Sequence, residues 1–365
     1  MVETIRQLVE IESPSDVKQA VDRVSTVLGS RLGELGAKIR VHLVKKFGNH
    51  LQANFSGLRG IEPVLLLGHL DTVYPIGTIS KMPCRISKGH LCGPGVLDMK
   101  SGVALAFHVL EALLEWSKGK LSRPVTMLFV SDEEIGSDSS RVITEKLARQ
   151  SAAVLVLEPS YGPQGAVKTA RKGIGEYQLK VTGVSAHSGL DFEKGQSAVV
   201  ELSRQILAIQ DFIDMKRGTT LNVGRISGGT RVNVIPAEAR ADIDVRVATI
   251  GDARDIEGKL RRLKPHNRSC KILVEGGMNR PPLERNAGVA ALYQKAFAVA
   301  KELSFELPQA SVGGGSDGNF TAALGIPTLD GLGAVGEGAH ADHESIVISE
   351  LPRRAALIAG LIQAI

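Results

Sequence analysis

The sequence predicts an α/β protein whose sheet is interrupted by a separate α+β unit, and three observations carry that expectation. Short apolar runs alternate with helical periodicity over about the first 160 residues. Near residue 170 the order changes to strand, helix, strand, strand, helix, strand, and from about residue 282 the first pattern resumes. A chain of 365 residues is long for one core, so two domains are expected, residues 1–170 with 282–365 and an insert at 171–281.

In chain order, MVETIRQLVEIESPSD reads as an amphipathic helix entering a polar turn. It carries acids where a secretion signal would have an apolar block, so the cytoplasm is the expected location. PVLLLG (63–68), PVTMLFV (124–130) and AAVLVLE (152–158) are apolar on both faces, as buried parallel strands are. Between them SGVALAFHVLEALLEW (101–116) has the spacing and length of a crossover helix. In the insert, GIGEYQLKVTG is a strand and QSAVVELSRQILAIQDFI a helix. TTLNVGRISG and VNVIPAEARADIDVRV are two strands, DARDIEGKLRRLK a helix and CKILVEG the last strand. This is the ferredoxin-like split order. AALYQKAFAVAKEL, IPTLDG and the terminal SELPRRAALIAGLIQAI then complete the first unit.

Composition excludes several classes of function. No apolar stretch approaches the roughly 20 residues that a bilayer-spanning helix needs, so no membrane partner is expected. The net charge of +5 is spread along the chain and aromatics make up 4%, which leaves few stacking platforms for nucleic acid. Cys84, Cys92 and Cys270 are odd in number and lack CxxC spacing, which suggests neither a disulfide framework nor a thiolate metal site.

Chemistry gathers at the ends of the buried runs. GHLDT supplies His69 and Asp71, SDEE supplies Glu133 and Glu134, and LEPS supplies Glu158. Ligands of open α/β sheets bind outside the carboxyl ends of the strands, so these groups should converge. Converging carboxylates raise each other's pKa unless a cation lies between them. In CGPGVLDMKSG, Asp98 precedes a helix and reads either as its cap or as a carboxylate that bridges two metals. GEGAHADHES offers His340 and His343 in a Gly-rich turn. Imidazole and carboxylate without Cys suit zinc, with cobalt or manganese as substitutes. GLGAVG (331–336) fits a dinucleotide fingerprint but runs into EGAHADHE instead of a helix, and GGGSDG lacks the Lys of a phosphate loop. His108, inside the apolar crossover helix, is expected in the core.

GHLDT, GPGVLDMKSG, SDEEIGS, LEPS, GVSAHSG, NVIPAEARADIDVR, GGGSDG and GAHADHE, in this order, closely resemble the zinc-dependent aminoacylase, acetylornithine deacetylase and succinyl-diaminopimelate desuccinylase family of metallopeptidases. The glutamate carboxypeptidase (carboxypeptidase G) branch is the most similar. The resemblance implies a zinc-peptidase-like catalytic domain with a mixed, largely parallel sheet, and an inserted ferredoxin-like dimerisation or lid domain. It implies two zinc ions per subunit, one held by His69, Asp98 and Glu158 and the other by Asp98, Glu134 and His340. Asp71 would orient His69, and Glu133 would be the general base. In an extended chain, neighbouring side chains point to opposite sides, so Glu134 would face a metal and Glu133 the reacting water.

By the same resemblance His187 stabilises the oxyanion, often across the dimer, while Asn233, Arg246 and Arg280 bind the free carboxylate of a substrate. The less favoured reading of Arg246 and Arg280 is as ordinary surface or structural pairs. Gly313 to Gly315, with Ser316 and Asp317, would bring backbone close to the pocket. A cis peptide is expected at Asp98-Met99. The implied substrate is an N-acyl amino acid or short peptide, with deacylation of an acetylornithine-like compound as the alternative. A non-catalytic metal or peptide binder is the third reading, against which Glu133 stands, because a binder needs no base.

Overall fold

The computed structural model describes every residue from Met1 to Ile365. Packing divides the chain into two compact units. One comprises Met1–Ala170, Glu284–Val312 and Ser316–Ile365, and the other Arg171–Leu283 with Gly313–Gly315.

The first unit is built on a six-stranded sheet in the order Lys38–His42, His50–Phe55, Val125–Val130, Val64–His69, Ala153–Val156, Thr328–Leu329. The last four run parallel, and the first two close one edge as antiparallel strands. Both faces are covered, which is why the parallel strands are apolar throughout. Val64 and Leu66 share a core with Leu105 and Ile358, which come from the helical layer formed by Ser101–Trp116 and Leu351–Ala364. Leu65 and Leu67 point the other way, toward Ala148, Ile143 and Leu324. The crossover helix spans Ser101–Trp116, the stretch that periodicity predicts.

Sequence periodicity does not single out the antiparallel edge. Lys38–His42 is half exposed and His50–Phe55 carries His50, Gln52 and Asn54, so neither reads as a buried strand. A small four-stranded sheet, Arg85–Ser87, His90–Cys92, Ser345–Val347 and Gly336–Glu337, was also not expected. It ties the C-terminal Gly-rich turn to the segment just before Asp98, pairing Ser345 with Cys92.

The insert is an antiparallel four-stranded sheet in the order Thr220–Gly228, Glu238–Val247, Gly173–Thr182, Lys271–Arg280. Helices Ala198–Gln210 and Ile250–Arg261 complete the ferredoxin-like order. Tyr177, Leu179, Val181, Ile243 and Val245 alternate onto one face and bury against Leu202, Ile256 and Leu260 of those helices. The expected strand VNVIPAEARADIDVRV is broken at Pro236, leaving Val234–Ile235 and Glu238–Val247. Proline cannot donate to a ladder, so the break falls there. The three cysteines are free, and no helix is long and apolar enough to cross a membrane.

Candidate active site

Strands Val64–His69, Val125–Val130 and Ala153–Val156 are parallel neighbours, so their carboxyl ends share one edge. That edge carries His69, then the Glu133 and Glu134 turn, then Glu158. Ligand atoms of His69, Asp98 and Glu134 lie within 4.8 Å of one another, as do those of His69, Glu133 and Glu158. His69 Nε2 is 3.1 Å from Asp98 Oδ1 and 3.6 Å from Glu158 Oε1. His340 Nε2 is 3.2 Å from Glu134 Oε2 and 3.4 Å from Asp98 Oδ2. Asp98 thus spans two imidazoles, one on each oxygen. The Asp98-Met99 peptide bond is cis, as expected. His343 faces Asp342 at 3.3 Å instead and is largely exposed.

The Glu133 and Glu134 pair is not in extended chain, which corrects the expectation of opposite-facing side chains. Glu133–Ile135 forms a single 3-10 turn that begins after strand Val125–Val130 and ends at Gly136 with a φ of 107°. On such a turn successive side chains diverge by about a third of a revolution, so both carboxylates reach the cluster from different angles.

Asp71 holds the His69 ring and has a second task besides. His69 Nδ1 donates to the main-chain carbonyl of Asp71 at 2.9 Å, while the Asp71 carboxylate is 3.5 Å away. This fixes the proton on Nδ1 and directs Nε2 into the cluster. The carboxylate itself accepts from Ser15 Oγ at 2.7 Å and from the backbone N–H groups of Glu133 and Glu134 at 3.3 and 3.2 Å. Asp71 therefore clamps the glutamate turn to the end of the neighbouring strand.

The electrostatics follow from this crowding. Burial opposes protonation of His69, yet the Asp71 and Asp98 carboxylates hold its pKa well above the ordinary imidazole value. Hydrogen bonds to Asp98 and Glu134 push His340 up to about 10. Burial works against ionised Asp98, but His340 and His69 hold its carboxyl well below the usual range. Burial raises Glu134, and its Oε1 is buried without a hydrogen-bond partner. The donor set of imidazole nitrogen and carboxylate oxygen, with one carboxylate shared and one oxygen unpartnered, fits divalent cations. His69, Asp98 and Glu158 can hold one, and Asp98, Glu134 and His340 the other.

Four further candidates lie in the insert. His187 and Asn233 are brought side by side, because Ala186–His187 pairs with Val234–Ile235 and the Ser188 N–H donates to the Asn233 carbonyl at 3.0 Å. Arg246 and Arg280 lie in register on either side of Ile174 in the central strand, so both face the same side of the sheet. Arg246 forms a forked pair with Asp244 at 2.8 Å through Nε and again through Nη2. Arg280 is buried, its Nη1 donating to Asn279 at 3.1 Å. A Cβ on Gly315 would come within 2.7 Å of Ile174 Cδ1 and 3.1 Å of Arg280 Cδ, so a larger residue there would press on both side chains.

In the first unit, Ser316 and Asp317 are buried and committed to Asp330 and Ser137 at 2.5 Å each. The stretch after Gly336 forms a turn and no helix, in line with the rejection of a dinucleotide loop. His108 is not in the core: it is half-buried on the helix surface between Glu111 at 2.8 Å and Thr4 at 2.9 Å. Polar partners at the contact with the N-terminal helix satisfy it there.

Comparison with known proteins places this geometry. The family model described as Peptidase family M20/M25/M40 matches residues 65–364. Carboxypeptidase G2 of Pseudomonas sp. (strain RS-16) is 31% identical over 99% of this chain and 88% of its own length. Among solved structures, the aminopeptidase PepT of Bacillus cereus superposes with a TM-score of 0.83 at 22% identity, covering 100% of this chain and 97% of that one. The M20 metallo-carboxypeptidase Sso-CP2 of Sulfolobus solfataricus gives 0.75 at 18% identity over 99% and 98%. The Bacillus subtilis YXEP protein, described as a dinuclear metal-binding peptidase of the M20 family, gives 0.69 at 16% identity over 99% and 96%. With the matching model and a whole-length relative added to the strand-end cluster, the chain belongs to the M20/M25/M40 peptidase family and is a metal-dependent hydrolase of amide or peptide bonds.

Proposed function

We propose that the protein is a dinuclear zinc carboxypeptidase that cleaves an amide bond next to a free carboxylate and releases an acidic residue such as glutamate. The observation that carries this reading is the arrangement of Glu133 and Glu134 on one turn, with Glu133 grouped with His69 and Glu158, and Glu134 with His69 and Asp98. Both groups offer metal ligands, and with Asp98, Glu134, Glu158 and the two imidazoles given to the cations, Glu133 is left as a base for hydrolysis.

Divalent cations held there would polarise the scissile carbonyl and acidify the attacking water. Glu133 then accepts the proton of that water and passes it to the leaving nitrogen. Asp71 keeps Glu133 in place through its backbone N–H. His187 donates to the developing oxyanion. Its ring is set up to do so, because Nδ1 accepts the N–H groups of Gly189 and Leu190, both at 3.1 Å, and the ring hydrogen is then on Nε2. Arg246 and Arg280 bind the substrate carboxylate, the guanidinium fork matching its two oxygens, and Asn233, which lies beside His187, contributes to the same recognition. A carboxypeptidase reading is supported by the 31% identity to carboxypeptidase G2.

The insert also serves dimerisation in this reading. Thr220–Gly228 is an open edge strand, and Val200, Leu207 and Ile226 are exposed on it and on the adjoining helix. Such an edge is a template for a second copy. A monomer by light scattering would remove the trans role of His187.

The deciding experiment is amine release by the zinc-loaded protein across N-acyl amino acids and glutamate conjugates, beside Glu133→Ala. Glutamate release that the variant loses supports the reading. Preference for acyl-ornithine would shift it to the deacylases, and turnover that survives in the variant would remove the mechanism.

A further inference from the structure

Glu344 follows His340 by four residues, is 0% exposed, and its carboxylate is directed back into the chain. Oε1 accepts the backbone N–H groups of Leu97 at 2.7 Å and Asp98 at 2.8 Å, and Oε2 accepts that of Gly95 at 2.9 Å. The Glu344 carbonyl accepts from the Gly93 N–H at 3.3 Å. Three N–H groups of the GPGVLD turn are thus held by one side chain, and a fourth by the same residue's carbonyl. Tyr74, five residues after His69, donates its hydroxyl to the Ala341 carbonyl at 2.8 Å and joins the end of a third segment to the same turn.

We propose that Glu344 is a positioning residue of the metal centre, fixing the main chain of Asp98 to the turn that carries His340. This rests on the metal-centre reading of the cluster. The need for such a device is physical. Asp98 must present one oxygen to each side of the site, so a displacement of its backbone disturbs both sides at once. Its turn contains Gly95 at a φ of 70°, and Asp98 itself departs from helical geometry at φ -112° and ψ 94°. His340 sits in the left-handed region at a φ of 65°, which a non-glycine residue adopts only when its surroundings insist. The Glu344 carboxylate couples the two irregular turns, and strand Ser345–Val347, paired with His90–Cys92, supplies the rigid base. Removing the carboxylate leaves three buried backbone donors without an acceptor, and the turn must open to hydrate them.

The test is zinc affinity by competition with a chromogenic chelator, for the wild type, Glu344→Ala and Glu344→Gln, each with a melting curve of the metal-free protein. Loss of an outer partner of metal ligands typically costs about 10–100-fold in affinity, and Glu344→Ala should show that loss. Glu344→Gln keeps an oxygen for Leu97 and Asp98 but turns an N–H toward Gly95, so it should fall between. Tyr74→Phe, which leaves the three backbone bonds intact, should lose least. Wild-type affinity in folded Glu344→Ala overturns the proposal. If that variant does not fold, wild-type affinity in folded Glu344→Gln overturns it equally. Failure of the wild type to bind zinc would sink the metal-centre reading and this inference with it, whereas the variant results sink this inference alone.

Discussion

Around His69 and His340 four carboxylates converge, whereas on the sheet of the insert Glu275, Asp242 and Asp244 each face a base. The insert pairs are direct, Lys180 with Glu275 at 2.6 Å, Arg225 with Asp242 at 2.8 Å and Arg246 with Asp244 at 2.8 Å. In the catalytic unit the same charge type is buried and shared between two imidazoles, with Glu134 Oε1 left unpartnered. Exposed pairs of the first kind contribute about 0–1 kcal/mol each and can be neutral for function. A buried surplus of the second kind is costly unless a cation neutralises it. The difference separates a surface that balances its own charge from a site held for something else.

The largest effect should come from Glu133. Glu133→Gln keeps the shape and removes the proton acceptor, so kcat should fall by roughly 10²–10⁴-fold. Zinc stoichiometry measured by elemental analysis should stay unchanged, since Glu133 lies outside the proposed ligand sets. A variant within a few-fold of wild type would erase the functional contrast between the two regions.

Metal removal should act on one region and spare the other. Ligand present at about 1,000 times its Kd stabilises a fold by about 4 kcal/mol, so chelation should lower the melting point as well as abolish turnover. Hydrogen exchange should report faster opening at the Asp98 and His340 turns, with strand Gly173–Thr182 unchanged. Uniform loss of protection would mean that the cluster supports the whole fold.

Arg246 is where the contrast could break, because its fork is already engaged by Asp244. Charge-assisted hydrogen bonds contribute about 1.5–3 kcal/mol, so Arg246→Ala should cost roughly 10–100-fold in kcat/KM on substrates with a free terminal carboxylate. Amide-capped substrates should show no further loss. Equal losses on both would return Arg246 to a structural partner of Asp244.

How far these regions were legible in sequence follows from the range of the interactions involved. Val64–His69, Val125–Val130 and Ser101–Trp116 could be read because burial on both faces and helical spacing are local patterns. The ligand-type residues could be read because each ends such a run. The antiparallel strand His50–Phe55 was hidden by its polar residues, although His50 is buried and bonded to Ser131 Oγ at 3.0 Å. Glu344 was hidden because its partners are almost 250 positions away, and a glutamate beside two histidines reads locally as solvated. The same holds for Asp71, whose hold on Glu133 and Glu134 exists only after parallel strands bring the two loops together.

The smallest effect tests whether a buried carboxylate in the insert obeys the opposite rule from the catalytic cluster. Glu201, on helix Ala198–Gln210, is 1% exposed and fully partnered. It accepts from Gln205 Nε2 at 2.8 Å and from the backbone N–H groups of His266 and Asn267 at 2.9 and 3.0 Å. Burial works to raise its pKa, but these bonds prevail and hold the carboxyl below the usual range. A depressed folded value means that the unfolded chain takes up the proton first as pH falls. The contribution of Glu201 is therefore complete above the ordinary value of 4.5 and is lost as pH drops through the folded one. Glu201→Gln should cost about 1–3 kcal/mol in urea unfolding at pH 7, and the gap from wild type should close as pH is lowered below that window. A gap constant across the acid range would assign the loss to packing, and the two regions would then differ in hydrogen bonding but not in the use of charge.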